Sequence, residues 1–137
     1  MHRKIEIALL ALSAIFVTVA AIPANTIRQA KDTEASDSAT IEGLVRDIAC
    51  PIQSKESTAT NFSKDCLTKC NKAGSPLGIL TKEGDVYVPV TETMPDTGQA
   101  KLQPFVGQWV SATGKTFLRN GAHGIEISNI HAIDALK

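Results

Sequence analysis

Cys50, Cys66 and Cys70 are the side chains of this sequence best suited to chemistry. A thiolate is a soft ligand for Zn²⁺, Cu⁺ or an iron-sulfur centre. It also pairs with a second thiol in a disulfide, and attacks one in thiol exchange. Cys66 and Cys70 stand at i and i+4, so on a helix their sulfurs share a face about one turn apart. Cys50 comes earlier, directly before Pro51.

The start of the chain bears on which chemistry applies. Arg3 and Lys4 precede Ile7 to Ile22, a stretch in which every residue is apolar or small and none is charged. That is the layout of a secretory signal. The stretch falls short of the roughly 20 apolar residues of a spanning helix, so cleavage after Ala21 or Ala24 is favoured over retention as an anchor. In either case the working domain is expected outside the cytoplasm, periplasmic or tethered to the outer face of the inner membrane. An oxidising compartment favours disulfides.

Three uses of the cysteines follow. The first is one disulfide, Cys50 with Cys66 or Cys70, worth about 3 kcal/mol by loop entropy, with the third cysteine as an apolar free thiol. The second is a Zn or Cu site built from Cys50, Cys66 and Cys70, its fourth position filled by Asp47, His123, His131 or an outside ligand. The spacing is not that of paired C-x-x-C zinc units. The third is thiol exchange, for which the chain offers no C-x-x-C and only Lys69 as an immediately flanking cation. The haem motif C-x-x-C-H is absent. The staple is the expected use, and metal or redox chemistry the alternative.

Removing residues 1–24 takes away Arg3, Lys4 and Glu6 and leaves 12 basic against 13 acidic residues. Phosphate backbones and anionic lipids are bound chiefly through Lys and Arg, and no basic run beyond pairs exists. Nucleic acid is therefore not an expected partner. Contact with a membrane is expected only through an uncleaved N-terminal segment. Residues 25–38 are polar without apolar period and read as a flexible linker, and the domain proper is placed at 39–137.

Strand signals dominate that domain. Ala39 to Ala49 carries Ile41, Leu44 and Val45 around Gly43, where a bulge or sharp bend belongs. Ile79 to Thr81 and Val86 to Val90 flank Lys82-Glu83-Gly84-Asp85 and form a hairpin. Val106 to Leu118 and Gly124 to Ile133, joined through Arg119-Asn120-Gly121, form a longer one. One short helix is inserted, capped by Ser63 and ended by Gly74 and Pro76, with Cys66, Leu67 and Cys70 on one face. Five strands and one helix suggest a small, strongly bent barrel.

The pieces IEGLVRDIAC, KCNKAGSPLGILTKEGDVYV and LQPFVGQWVSATGKTFLRNGAHGIEISNI resemble small exported bacterial OB-fold domains. Those share D-x-x-C at the end of the first strand, a cysteine-bearing segment leading into G-x-P-x-G, and a late V-G-x-x-V-x-x-T-G strand. The resemblance spans nearly all of Thr40 to Ile133 and implies an OB-like barrel. It implies no particular task, because OB-folds host many. Phe62 and Ser63 stand where the family often has a histidine, so a histidine-containing metal site does not carry over.

Other features point to no chemistry. Thr113-Gly114-Lys115-Thr116 resembles the tail of a phosphate loop, but the upstream glycine falls on Trp109 and the segment reads as strand. No nucleophile-base-acid spacing and no carboxylate pair is set up. Tyr87, Phe105, Trp109 and Phe117 are expected in the core, and His123 and His131 at the surface. The expectation is a non-enzymatic binding or accessory module for a protein or small molecule, with a structural subunit of an envelope or membrane-associated complex as a further alternative.

Overall fold

The computed structural model describes residues 33–135, with side chains from residue 38 onward. The expected signal or anchor at 1–24 lies outside the described residues. No helix among the described residues is long and apolar enough to cross a membrane. Five strands, β1 (Thr33–Asp47), β2 (Leu77–Leu80), β3 (Val86–Pro89), β4 (Trp109–Arg119) and β5 (Ala122–Ala132), close into a barrel in the order β1-β2-β3-β5-β4. The mainly β, five-stranded OB-like barrel expected from the sequence is present.

Closure depends on β1 serving two neighbours. Its first part pairs with β4 as far as Leu44↔Trp109, and its last part pairs with β2 from Leu44↔Leu80 to Asp47↔Leu77. Gly43 sits where the strand passes from one partner to the other. A Cβ there would lie 2.5 Å from the carbonyl oxygen of Leu80 and 2.8 Å from Ile79 Cγ2, so only glycine lets β2 come this close.

Side-chain alternation on β1 then divides the apolar residues between two clusters. Val45 faces the barrel interior with Leu77, Ile79, Val110, Ala112, Ile125 and Ile127, and Leu102 packs with them. Leu44 faces outward with Leu80 and Trp109, and this outer cluster is covered by Ala59 and Phe62. On β5 an irregularity in the pairing places Thr113↔Asn129 next to Gly114↔Ile127, with Ser128 left over. The extra residue shifts the alternation, so Ile127 and Ile130 pack against the same core. Ser128 Oγ donates to Thr113 O at 2.9 Å across the bulge.

Several elements differ from expectation. The long strand β1 begins at Thr33, inside the stretch read as a linker. In its first residues it pairs with β4 through backbone groups, with register shifts between Thr33 and Ala39. The two hairpins join through a parallel pairing of β3 with β5, from Tyr87↔His123 to Pro89↔Ile125, which the hairpin signals in the sequence do not announce. β4 starts at Trp109, not Val106, because a 3₁₀ turn at Gln103–Phe105 and Gly107 at φ +78° turn the chain into it. Among the described residues three short α-helices are present where one was expected: α1 (Ala49–Gln53), α2 (Lys64–Lys72) and α3 (Gln99–Leu102). Gln99 substitutes for a strand neighbour, accepting from Leu77 N at 2.8 Å and donating to Leu77 O at 3.0 Å.

The hairpins match their sequence signals. Asn120 and Gly121, at φ 51° and 78°, form the two-residue turn between β4 and β5. Thr81 N donates to Asp85 O at 2.9 Å to close the turn between β2 and β3.

Candidate metal centre

The three cysteines come together because two segments are each fixed at both ends. Helix α2 starts where Ser63 Oγ accepts from Cys66 N at 3.3 Å, and Leu67 on its inner face is buried. It ends in a Schellman arrangement. Ser75 N donates to Cys70 O and Gly74 N to Asn71 O, each at 3.0 Å, with Gly74 at φ +94°. The cap and the stop expected at Ser63 and Gly74 are therefore both formed.

Cys50 is held from the other side. Asp47 ends β1, and its Oδ2 accepts from Cys50 N at 2.9 Å, which sets the first turn of α1. Pro51 is accommodated there because the first turn needs no intrahelical donor. Ile48 N donates to Pro76 O at 3.0 Å and clasps the end of β1 to the chain leaving α2. Arg46, next along β1, donates from Nη1 to Thr58 O at 3.1 Å and holds the 54–62 segment against the barrel. Strand end and helix are thus brought to one place by backbone bonds and by the Arg46 tie.

The result is compact. The sulfurs of Cys50, Cys66 and Cys70 all lie within 4.8 Å of one another. Cys50 Sγ and Cys70 Sγ are 3.8 Å apart. A disulfide holds its sulfurs about 2.05 Å apart, so the expected staple is not formed and all three cysteines are free thiols. Cys66 is exposed, while Cys50 and Cys70 are half-buried. Four-coordinate Zn²⁺ with Zn–S bonds of about 2.3 Å keeps its sulfurs about 3.8 Å apart. The three thiols can hold a metal ion.

Asp47 governs the electrostatics. It is fully buried beside Arg46, whose Nη2 is 3.5 Å from Asp47 Oδ1. That contact is an ion pair without a hydrogen bond, because Asp47 Oδ1 and Arg46 Nε both lack a hydrogen-bond partner. Accepting the Cys50 S–H, the Asp47 carboxylate pushes that thiol up to about 12, with burial and the Cys70 thiol adding to the effect. Cys70 feels a downward pull from its hydrogen bond with Cys50, but burial and Cys66 outweigh it and the net shift is upward. The lowered thiol pKa that thiol exchange needs is the opposite of what Cys50 and Cys70 show.

His123 and His131, both candidates for a fourth ligand, stand away from the cysteines. Among the described residues the ligand group consists of the three cysteines. His123 stands against the Tyr87 ring at 4.9 Å between centroids, with its Nε2 3.9 Å from Asp85 Oδ1. His131 is exposed on β5 opposite Ser111. Asp47 touches the cluster, through its Oδ2 at Cys50 N. Its buried Oδ1 was not foreseeable from spacing, since it depends on how β1 enters α1.

Of the aromatics, Trp109 is buried in the outer cluster, and Tyr87 and Phe105 pack against the barrel core, as expected. Phe117 departs from expectation and lines an outer cavity. Thr113 to Thr116 lie within β4, away from any helix start. Compared with models of protein families, with curated proteins and with solved structures, the chain matches none of them.

Proposed function

We propose that this chain is an exported module that binds one thiophilic metal ion, Zn²⁺ or Cu⁺, through Cys50, Cys66 and Cys70. The observation that carries the reading is the mutual approach of the three sulfurs, with the Cys50 to Cys70 separation of 3.8 Å. Thiol–metal bonding requires loss of the thiol protons, and at Cys50 the ion takes over the place of the proton now shared with Asp47. Cys66 is exposed, so solvent beside it is the source of a fourth ligand, while the Asp47 carboxylate is engaged by Arg46 and by Cys50 N. Export rests on Arg3, Lys4 and the uncharged run from Ile7 to Ile22. The role is one of binding rather than catalysis.

The test is titration of the reduced protein with Zn²⁺ against a chromophoric chelator, and with Co²⁺ for its thiolate charge-transfer band. One ion per chain supports the reading, and no retention of either ion contradicts it. A disulfide staple is the second reading, favoured by the short Cys50 to Cys70 distance across two separate segments. It predicts protein 2 Da lighter on isolation, with a single alkylatable thiol.

A further inference from the structure

On the far side of β5 from the barrel core lies a cavity of about 620 Å³, within the range of small-molecule sites. Its floor is Val88, Val90 and Phe117 around Gly124, whose missing side chain leaves the space open. Phe117 and Gly124 are cross-strand neighbours, and Val88 pairs with Gly124 from the other side. The apolar residues thus come from three adjacent strands and form one patch.

The two ends differ in charge. At one end Lys115 meets Glu92 at 3.2 Å and lies opposite Glu126 on the neighbouring strand, so no positive charge is spare. At the other end Arg119 lines the cavity beside His123, and among the residues whose side chains are described, 38–135, its guanidinium has no ion-pair or hydrogen-bond partner. The planar fork of a guanidinium matches a carboxylate in a bidentate pair. We propose that this cavity binds a small organic anion, its apolar body over Gly124 and Phe117 and its carboxylate or equivalent head on Arg119. The site is separate from the cysteines and does not depend on their metal.

Octanoate and octyltrimethylammonium are matched probes that share the apolar chain and differ in head charge. Amide resonances of Val90, Gly124 and Arg119 are followed by NMR during titration of the full folded chain. Octanoate is expected to shift them saturably at one site, with octyltrimethylammonium roughly tenfold weaker. Arg119→Ala removes that preference. Gly124→Val fills the floor and removes binding of both probes. An added Cβ at Gly124 meets Val90 at 3.5 Å and Phe117 at 3.7 Å, ordinary contact distances, so the first added carbon fits without overlap. Equal binding of the two probes overturns the proposal, as does undiminished octanoate binding in a folded Gly124→Val protein. Should that variant fail to fold, Arg119→Ala at an exposed position decides alone, and an unchanged preference in it overturns the proposal.

Discussion

The sulfur of Cys50 lies 3.8 Å from the sulfur of Cys70, nearly twice a disulfide bond and the spacing of two thiolates that share a zinc ion. Two elements remote in sequence meet there, one fixed by the Asp47 cap and the Ile48 clasp and the other by the Schellman turn at Gly74.

The thiols are expected to differ in reactivity. At pH 8 iodoacetamide modifies exposed Cys66 first and Cys50 last, because a thiol pushed up to about 12 by Asp47 is almost wholly protonated there. Intact-mass time courses with peptide mapping give the order. Asp47→Asn removes the carboxylate and speeds Cys50, and an unchanged Cys50 rate counts against the Asp47 account.

Stability of the metal-free protein is expected to fall in alkali. The folded state holds the Cys50 proton more tightly than the unfolded chain, whose thiol titrates near 9. Its contribution is therefore fully present below about pH 9 and is lost as pH rises toward 12. Burial and Asp85 raise Tyr87 as well, which acts in the same direction. Melting temperatures measured from pH 8 upward should decline, and Asp47→Asn should flatten the decline.

Much of the barrel was legible because its signals are local. Ser63, Gly74 and the Asn120-Gly121 pair each name a cap or turn whose backbone they alone suit, and Gly43 marks the bend in β1. α1 left no comparable trace: it is short, carries Pro51, and its first turn is held by Asp47 from outside the helix. The cysteine convergence was legible as a face on α2 and a strand end, while the distances depend on the Ile48 to Pro76 clasp, a tertiary bond. Phe117 shares parity on β4 with Ser111, Thr113 and Lys115, which places it outward. Its aromatic character suggested the core, and parity decides.

Gly43→Ala is expected to destabilise the barrel by more than about 2 kcal/mol, since the methyl overlaps the backbone of Leu80 and β2 must move away. Urea denaturation measures the loss. A change below about 0.5 kcal/mol, as at an ordinary surface site, contradicts the close approach.

Arg46→Met keeps most of the packing volume but leaves Asp47 buried without its cation and Thr58 O without its donor. A loss of about 3 to 5 kcal/mol is expected. Loss of the tie on the 54–62 segment should also weaken metal binding, read by chelator competition. Unchanged stability would show that Arg46 and Asp47 are not a pair in solution.

The central claim is tested most directly by X-ray absorption on the reduced protein loaded with one equivalent of Zn²⁺, compared with Cys66→Ser. The account predicts three sulfur ligands at about 2.3 Å, and an affinity reduced by more than about tenfold in the variant. A shell of oxygen and nitrogen ligands alone, or equal affinity in the two proteins, would contradict it.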